Sequence, residues 1–342
     1  MNMNISFQPL DLELKHTFRI SRGAKDTQSN VIVSLTEEGG VSGIGEAAPS
    51  LFFKEDSTSV MEAFRQFAGL LKNSDIFHIE DITNQLKKHF PANAAARAAI
   101  DIALHDLVSK TLKITLSALL GLNPHHTMAT SFTIGMDTME KMCEKIEEVK
   151  DLPVLKIKVG CDNDIEILEE LRKISRAVFR VDANTGWNKE GAIKRLHRME
   201  ELGVELVEQP FPVGDFETLA YIKNKVKIPI FADEEVVDSK DIPRLAGVVD
   251  GINIKLMKCG GIREALRMIH TARAHGLKVM IGCNIESSVS ITAAAHLMSL
   301  ADYIDLDGNL LVSNDPYEGV HFEKGRLSLP EREGLGVRLK AG

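Results

Sequence analysis

Three short apolar runs decide the fold: VFRVDAN (residues 178–184), LVEQP (206–210) and PIFADE (229–234). Each run carries an acid near its end, and these acids, Asp182, Glu208 and Asp233, are spaced 26 and 25 residues apart. Short runs rich in valine, isoleucine and phenylalanine are typical of strands buried in a parallel sheet. The interval leaves room for one helix in each connection. The pattern therefore predicts repeated βα units with charged groups at one end of the sheet.

The same interval continues in both directions along the chain. Five further runs fit it: TSFTIGM (130–136), VLKIKVG (154–160), GINIKL (251–256), KVMIGCN (278–284) and YIDLDG (303–308). Amphipathic stretches such as DIEILEELRKISR fill the connections. Eight such units predict an α/β fold, a (β/α)8 (TIM-like) barrel with its site at the C-terminal ends of the strands. The helix after Leu310 is the one that the sequence indicates poorly.

The residues before the barrel have a different pattern. NVIVSLTEEGGVSGIGEAAP (30–49) alternates like an antiparallel hairpin with its turn at residues 38–40, and two helical stretches follow it. We therefore predict an N-terminal α+β domain of residues 1–124 and a barrel of residues 125–312. Residues 313–342 form a C-terminal segment with a hairpin that returns to the first domain.

Composition limits the classes of protein that fit this chain. The 342 residues carry a formal net charge of −8 without a basic stripe, which argues against a nucleic-acid partner. The four cysteines show no CxxC spacing, so reduced thiols in a cytoplasmic protein are the natural interpretation. The stretch MNMNISFQPLDLELKH lacks the layout of a signal peptide, and no apolar run is long enough to cross a membrane. We expect a cytoplasmic protein with no membrane partner.

The three acids predict a metal site. Asp182, Glu208 and Asp233 end strands 3, 4 and 5 of the predicted barrel, which are neighbours, so their carboxylates can converge. Three carboxylates with no histidine or cysteine among them form a hard oxygen site that suits Mg²⁺, leaves Mn²⁺ possible and disfavours zinc. A single acid at a strand end is common in loops and caps, but three on adjacent strands indicate a metal.

Lysines lie on both sides of this acidic wall. Lys156 and Lys158 share one face of strand 2, whereas Lys255 ends strand 6, across the barrel. The like charge of Lys156 and the nearby metal both disfavour the ammonium form of Lys158, as a general base requires. Two lysines on opposite faces of one α-carbon, beside a metal-bound carboxylate, predict a 1,1-proton transfer through an enediolate, with inversion at carbon.

The last strand adds a second acidic group. Asp305 and Asp307 lie across the predicted barrel from Glu208. Two carboxylates that face an incoming molecule favour a cation such as an ammonium group. An extended peptide runs at most ~3.6 Å per residue, so a dipeptide could reach from the metal to this pair. The alternative is that one aspartate caps the loop before Gly308.

The combined motifs resemble a known family. LKIKVG, RVDANTGW, LVEQP, FADE, NIKLMKCGG and DLDG look like the muconate-lactonizing subgroup of the enolase superfamily, and the DxD resembles that of the dipeptide epimerases. The likeness covers nearly the whole chain. It implies that an N-terminal α+β domain caps the barrel, that the three acids hold Mg²⁺ and that Lys158 and Lys255 are the acid/base catalysts.

The resemblance also implies substrate contacts. Lys156 supports the substrate carboxylate, and Asp305 and Asp307 hold the α-ammonium group. Positions that line the substrate in such epimerases align with Thr133, Cys283 and Ile285, although a small buried apolar role explains Cys283 equally well.

In this family, capping-domain loops near residues 20 and 50 choose the side chain of the substrate. Arg22 or Lys25 could hold a glutamate γ-carboxylate. Some Ala-Glu epimerases carry an arginine where this chain has Gly23, so the resemblance does not fix an acidic side chain.

These observations predict a Mg²⁺-dependent dipeptide epimerase that inverts the C-terminal residue, with L-Ala-D/L-Glu from murein peptides as the first choice of substrate. Other dipeptides, hydrophobic or mixed, are the alternative within this activity. An o-succinylbenzoate synthase or muconate cycloisomerase shares the fold, but its substrate has no ammonium group for the DxD pair. A glycosidase leaves the lysines unexplained, and a binding protein needs no base. The superfamily likeness further implies a homo-oligomer.

Overall fold

The computed structural model describes residues 3–341. The chain begins with an antiparallel sheet of three strands, β1 (Asn4–Ile20), β2 (Gly23–Thr36) and β3 (Ser42–Ala47). β2 and β3 pair as the hairpin predicted over residues 30–49. Glycine in β3 lets this sheet approach a helix closely, because a Cβ atom at Gly43 or Gly45 would collide with a carbonyl oxygen of that helix.

Four helices complete the first part of the chain: α1 (Ser57–Leu71), α2 (Ile79–His89), α3 (Ala94–Thr111) and α4 (Leu116–Leu120). α3 is the helix under the glycine-bearing strand, and its many alanines allow it to be buried along most of its length. One apolar core runs from this domain into the following one. The two parts therefore pack as one body around a shared interior.

A short strand, β4 (Met128–Ala129), leads into the barrel. The eight barrel strands are β5 (Phe132–Ile134), β6 (Val154–Lys158), β7 (Val178–Asp182), β8 (Val204–Glu208), β9 (Ile230–Ala232), β10 (Gly251–Lys255), β11 (Lys278–Gly282) and β12 (Tyr303–Asp305). They form one parallel sheet in chain order, and a bridge between Thr130 and Ile304 joins its two ends. The predicted (β/α)8 barrel with an N-terminal α+β domain is confirmed.

Helices follow the strands on the outside of the barrel. They are α5 (Met139–Glu148), α6 (Asp164–Ile174), α7 (Ala192–Glu201), α8 (Phe216–Lys223), α9 (Ile242–Leu245), α10 (Leu256–Cys259), α11 (Ile262–Ala274) and α12 (Ser288–Ala295). After β12 the chain makes a single 3₁₀ turn, Gly308–Leu310, where the sequence indicates a helix poorly. Within residues 3–341, no helix combines the length and the apolar character that a membrane span needs.

The register between neighbouring strands sets the level of each charged residue along the barrel axis. Lys158 pairs with Asp182 and Asp182 pairs with Glu208, so these three lie in one row at the C-terminal rim. Lys255 and Asp305 lie in a second row, with the end of β11 between them. The parallel sheet thus brings charges that are distant in sequence to one end of the barrel.

The C-terminal segment contains β13 (Tyr317–Glu318), β14 (His321–Glu323), β15 (Arg326–Ser328) and β16 (Arg338–Leu339). β14 and β15 form the expected hairpin, and β15 pairs with β4. Contact with the first domain comes later in the chain, where Leu116 N donates to Gly334 O at 2.8 Å and Leu335 N to Asp106 Oδ1 at 2.7 Å. The boundaries proposed from the sequence, at residues 124 and 312, remain a proposal.

Candidate active site

The C-terminal rim of the barrel faces a cavity of about 750 Å³. The barrel side of its wall comes from the ends of β5, β6 and β9 to β12. The other side comes from the first domain, through the turn between β1 and β2 and the loop of residues 49–57 before α1. The cavity therefore lies between the two parts of the chain, at the end of the barrel where the sequence predicts the site.

The three predicted metal ligands come together at this end of the barrel, where Asp233 lines the cavity. Asp182, Glu208 and Asp233 each offer an oxygen atom, and these atoms lie within 4.8 Å of one another. Their exposed fractions are only 0%, 1% and 2%. Buried carboxylates at this separation repel one another unless a cation lies close to them. The arrangement can therefore hold a hard divalent cation.

Glu208 is the member of the trio whose charge is compensated least. Its pKa is raised to about 8, because burial and the neighbouring charge of Asp182 both disfavour ionisation. Burial also acts on Asp182, but the ammonium groups of Lys156 and Lys158 more than offset it and hold the pKa of Asp182 well below its usual range. Among residues 3–341, Glu208 Oε2 has no hydrogen-bond donor, although Lys156 Nζ lies 2.8 Å away with an unfavourable angle.

Each lysine of the predicted set contacts the acids. Lys158 Nζ donates to Asp182 Oδ2 at 2.6 Å, and Lys255 Nζ donates to Asp233 Oδ2 at 2.7 Å. Burial lowers the pKa of Lys255, but the charge of Asp233 more than offsets this and raises it well above the ordinary value. The structure thus pairs each of these two lysines with a carboxylate of the predicted metal site.

Lys156 lies between the two acidic groups of the barrel. Its Nζ is 3.0 Å from Asp182 Oδ2, 2.8 Å from Glu208 Oε2 and 2.7 Å from Asp305 Oδ2. Burial opposes the charge of this ammonium, yet the acids raise the pKa of Lys156 well above its usual value. Lys156 is therefore the cation shared by the metal-ligand trio and the last strand.

The acidic pair of β12 is held by different neighbours. Asp305 Oδ1 accepts from Ser131 Oγ at 2.6 Å, and its other oxygen is taken by Lys156. Asp307 Oδ2 accepts from the backbone N–H of Thr133 at 2.6 Å. Burial and the charge of Asp305 raise the pKa of Asp307 to about 6. The other oxygen of Asp307, Oδ1, has the Cys283 thiol as a near neighbour at 3.9 Å.

The three residues proposed to line the substrate do line the cavity: Thr133, Cys283 and Ile285. Burial and the charge of Asp307 raise the pKa of the Cys283 thiol well above its ordinary value, which disfavours the thiolate form. Ile285 packs with Leu12 and Val312, and its carbonyl accepts from the side chain of Asn30 at 3.0 Å.

The two basic candidates of the first domain are held differently. Arg22 donates to Glu234 Oε1 at 2.6 Å and to the carbonyl of Asn184 at 2.8 Å, and its guanidinium lies 4.6 Å from the centre of the Phe52 ring. Lys25 donates to the neutral side chain of Gln28 at 2.6 Å. Arg22 therefore ties both capping loops to the barrel, whereas Lys25 has a neutral partner.

Sequence reasoning missed three polar residues at the floor. Lys258 donates to the carbonyl of Asp233 at 2.6 Å and also to its carboxylate, and Asn253 Nδ2 donates to Glu208 Oε1 at 2.8 Å. Glu234 is the partner of Arg22. All three lie in motifs that the sequence analysis singled out. Asn253 and Lys258 belong to NIKLMKCGG, two residues before and three residues after Lys255, and Glu234 is the last residue of FADE.

Two family models cover most of the chain. The mandelate racemase / muconate lactonizing enzyme N-terminal domain matches residues 7–121, and the enolase C-terminal domain-like family matches residues 139–342. A relative, the L-Ala-D/L-Glu epimerase of Bacteroides thetaiotaomicron, is 40% identical over 98% of this chain and 88% of its own length.

Solved structures of dipeptide epimerases match the whole fold. The enzyme of Enterococcus faecalis V583, complexed with Mg and L-Leu-L-Tyr, is 35% identical with a TM-score of 0.94, over 98% of this chain and 99% of that one. The enzyme of Methylococcus capsulatus, complexed with Mg and L-Arg-D-Lys, is 34% identical with a TM-score of 0.93, over the same shares. The chain therefore belongs to the enolase superfamily, in its mandelate racemase and muconate lactonizing branch, and is an isomerase of the dipeptide epimerase family.

Proposed function

We propose that this protein is a Mg²⁺-dependent epimerase that inverts the α-carbon of the C-terminal residue of a dipeptide. The observation that carries the proposal is the placement of two lysines in one cavity. Lys158 comes from β6 and contacts Asp182, whereas Lys255 comes from β10 and contacts Asp233. The two amines thus approach the carboxylate floor from strands on different sides of the barrel.

Asp182, Glu208 and Asp233 are the proposed ligands for Mg²⁺, with Mn²⁺ as a substitute. Three buried carboxylates lie close enough together to bind one hard cation such as Mg²⁺. Glu208 supports this assignment, because its pKa is raised and, within residues 3–341, its Oε2 has no hydrogen-bond donor. When bound, the cation would neutralise the substrate carboxylate beside the reacting carbon and weaken the carboxylate field that raises the pKa of Lys255.

The chain's own residues then move the proton. One lysine, Lys158 or Lys255, takes the α-proton from its face of the substrate, and the other returns a proton to the opposite face. The C–H bond broken on one side is remade on the other, so the configuration inverts and no atom is gained or lost. For the reverse substrate the two lysines exchange roles. Lys156 contributes its ammonium charge to the substrate carboxylate.

The acidic pair of β12 is proposed to bind the substrate ammonium group. Within residues 3–341, the donor near Asp307 Oδ1 is the weak thiol of Cys283, so this oxygen can accept a stronger donor. Asp305 adds negative charge but is already held by Ser131 and Lys156. This supports a ligand with a free amine and weighs against a cycloisomerase or an o-succinylbenzoate synthase, whose substrate gives Asp307 no partner.

Lys25 supports an acidic side chain, with L-Ala-D/L-Glu from murein peptides as the proposed substrate. Every other cation that lines the cavity is paired with a carboxylate: Arg22, Lys156, Lys158, Lys255 and Lys258. Within residues 3–341, Lys25 has only Gln28 as its side-chain partner. An unpaired ammonium at the rim attracts an anionic group such as the γ-carboxylate of glutamate.

A hydrophobic dipeptide is the second candidate. Leu51 and Phe52 line the same cavity and remain 81% and 42% exposed. Exposed apolar groups at a binding site favour an apolar ligand. We further propose a cytoplasmic homo-oligomer, and the four free cysteines support a reducing compartment.

Hydrogen exchange tests the chemistry directly. The protein is incubated with Mg²⁺ and a panel of dipeptides in D₂O, and mass spectrometry then measures deuterium at the C-terminal α-carbon. We expect deuterium in both epimers of at least one dipeptide. Absence of exchange with every dipeptide of the panel would refute the proposed activity.

A further inference from the structure

Strand β10 and the turn after it carry two buried polar residues that the proposed proton transfer does not use, Asn253 and Lys258. Asn253 lies two residues before Lys255 on the same strand, so both side chains point into the barrel. Lys258 lies on α10, three residues after Lys255. The segment 253–258 therefore surrounds one of the proposed acid/base groups with two further polar groups.

Each of these residues contacts one candidate metal ligand. Asn253 Nδ2 donates to Glu208 Oε1 at 2.8 Å. Lys258 Nζ donates to the carboxylate of Asp233 through Oδ1, and to the backbone carbonyl of Asp233 at 2.6 Å. Lys258 Nζ also donates to the carbonyl of Asn253 at 3.0 Å. One short segment thus fixes two carboxylates, and its two polar residues are linked to each other.

Asn253 and Lys258 each hold one oxygen of a carboxylate and leave the other oxygen to different groups. Glu208 Oε2 has no hydrogen-bond donor within residues 3–341, and Asp233 Oδ2 faces Lys255. A carboxylate held through one oxygen presents the other in a fixed direction. Groups that orient metal ligands in this way act on ion affinity even though they do not touch the ion.

We propose that Asn253 and Lys258 are positioning residues that hold Glu208 and Asp233 in the orientation that binds a divalent cation. The inference rests on the metal site of the proposed function. The segment of residues 253–258 then has two roles. It carries the acid/base group Lys255, and it orients two metal ligands, Glu208 at the end of β8 and Asp233 directly after β9. Substitution of either residue weakens ion binding about 10- to 100-fold.

The direction in which the dissociation constant for the ion changes distinguishes a positioning role from a purely electrostatic one. Removing the ammonium group of Lys258 takes a positive charge away from the ion, and Coulomb's law alone would then tighten binding. Loss of orientation weakens binding instead. Asn253 is neutral, so its substitution changes orientation without that opposing effect.

The test measures Mn²⁺ binding to the purified full-length protein by the electron paramagnetic resonance signal of free Mn²⁺. Asn253→Leu and Lys258→Met keep the side-chain size but remove the donors. We expect both to raise the dissociation constant about 10- to 100-fold. Lys225→Met is the matched control, because Lys225 is exposed on the loop before β9 and its loss changes the net charge equally. Its dissociation constant should equal that of the wild type.

Several results would overturn the inference. If either variant binds Mn²⁺ with the wild-type dissociation constant, the substituted residue does not position a metal ligand. If Lys258→Met binds Mn²⁺ more tightly than the wild type, Lys258 acts on the site through its charge alone. A wild-type protein that binds no Mn²⁺ refutes the metal site itself, which is a separate failure. Circular dichroism checks folding. If a variant does not fold, Asn253→Ser or Lys258→Gln takes its place, and the same rise in the dissociation constant is expected.

Discussion

The proposed preference for an acidic side chain can be tested by replacing Lys25 with methionine, an uncharged side chain of similar length. We expect Lys25→Met to remove the preference for a glutamate side chain over a glutamine side chain, which has nearly the same shape but no charge. The rate measured is kcat/KM for epimerisation of L-Ala-L-Glu and of L-Ala-L-Gln, followed by polarimetry with Mg²⁺. The ratio of the two values isolates the charge interaction, because the rest of the dipeptide is common to both.

The structure sets the size of this effect. Lys25 is exposed at the cavity rim, and its partner Gln28 is neutral. Exposed ion pairs contribute about 0.2–1 kcal/mol, while hydrogen bonds to charged groups in less exposed sites contribute about 1.5–3 kcal/mol. The upper end of the range for exposed pairs, about 1 kcal/mol, corresponds to about a fivefold change in the ratio. Lys25→Met should therefore lower the Glu/Gln ratio about fivefold.

Two control variants make the result specific. Lys15→Met removes the same charge from the same hairpin, on an exposed residue outside the cavity, and should leave the ratio unchanged. Arg22→Met should reduce turnover of both substrates alike, because Arg22 is held by Glu234 and Asn184. An unchanged ratio in Lys25→Met, or a lowered ratio in Arg22→Met, would refute the reasoning. Failure of the wild type to epimerise either dipeptide would instead count against the proposed substrate.

Three further predictions concern the chemistry and the stability. Lys158→Ala and Lys255→Ala should each lower the rate of epimerisation about 10²- to 10⁴-fold. Each variant should still exchange deuterium into one epimer of the substrate, and exchange into both epimers in either variant would contradict the two-base assignment. Mg²⁺ at 100 times its dissociation constant should stabilise the wild type by about 2.7 kcal/mol in thermal unfolding, and Asp233→Asn should lose this gain. His296 is buried, and its pKa is lowered to about 4, so between pH 6.5 and 4 the unfolded chain takes up a proton that the native state does not. The unfolding free energy should fall by about 3 kcal/mol over that window relative to His296→Gln, as measured by urea denaturation, and an equal fall in both proteins would contradict the assignment.

Strand periodicity explains why so much of the floor could be predicted. Lys158, Asp182 and Glu208 end parallel strands, and residues at the ends of neighbouring parallel strands must lie on one rim. The structure pairs them in register as expected. Lys156 follows from the same rule, because residues two apart on a strand share a face.

The contacts that could not be predicted depend on turns and on closure of the first domain. Lys258 lies on a helical turn, where the direction of a side chain depends on how tightly the chain bends after the strand. Arg22 meets Glu234 across 212 residues of sequence, and the pairing exists only because the first domain covers the barrel.

The difference between Lys156 and Lys25 shows where substrate choice can change. Lys156 is buried among Asp182, Glu208 and Asp305, and removal of one partner from such a buried ion pair costs about 3–5 kcal/mol. Lys25 lies at the rim and forms one hydrogen bond to Gln28, so its substitution disturbs little of the fold. The barrel floor must therefore keep its charges for stability as well as chemistry. The start of β2, which carries Lys25, is free of that constraint, and we propose that the preference for one substrate side chain is set there.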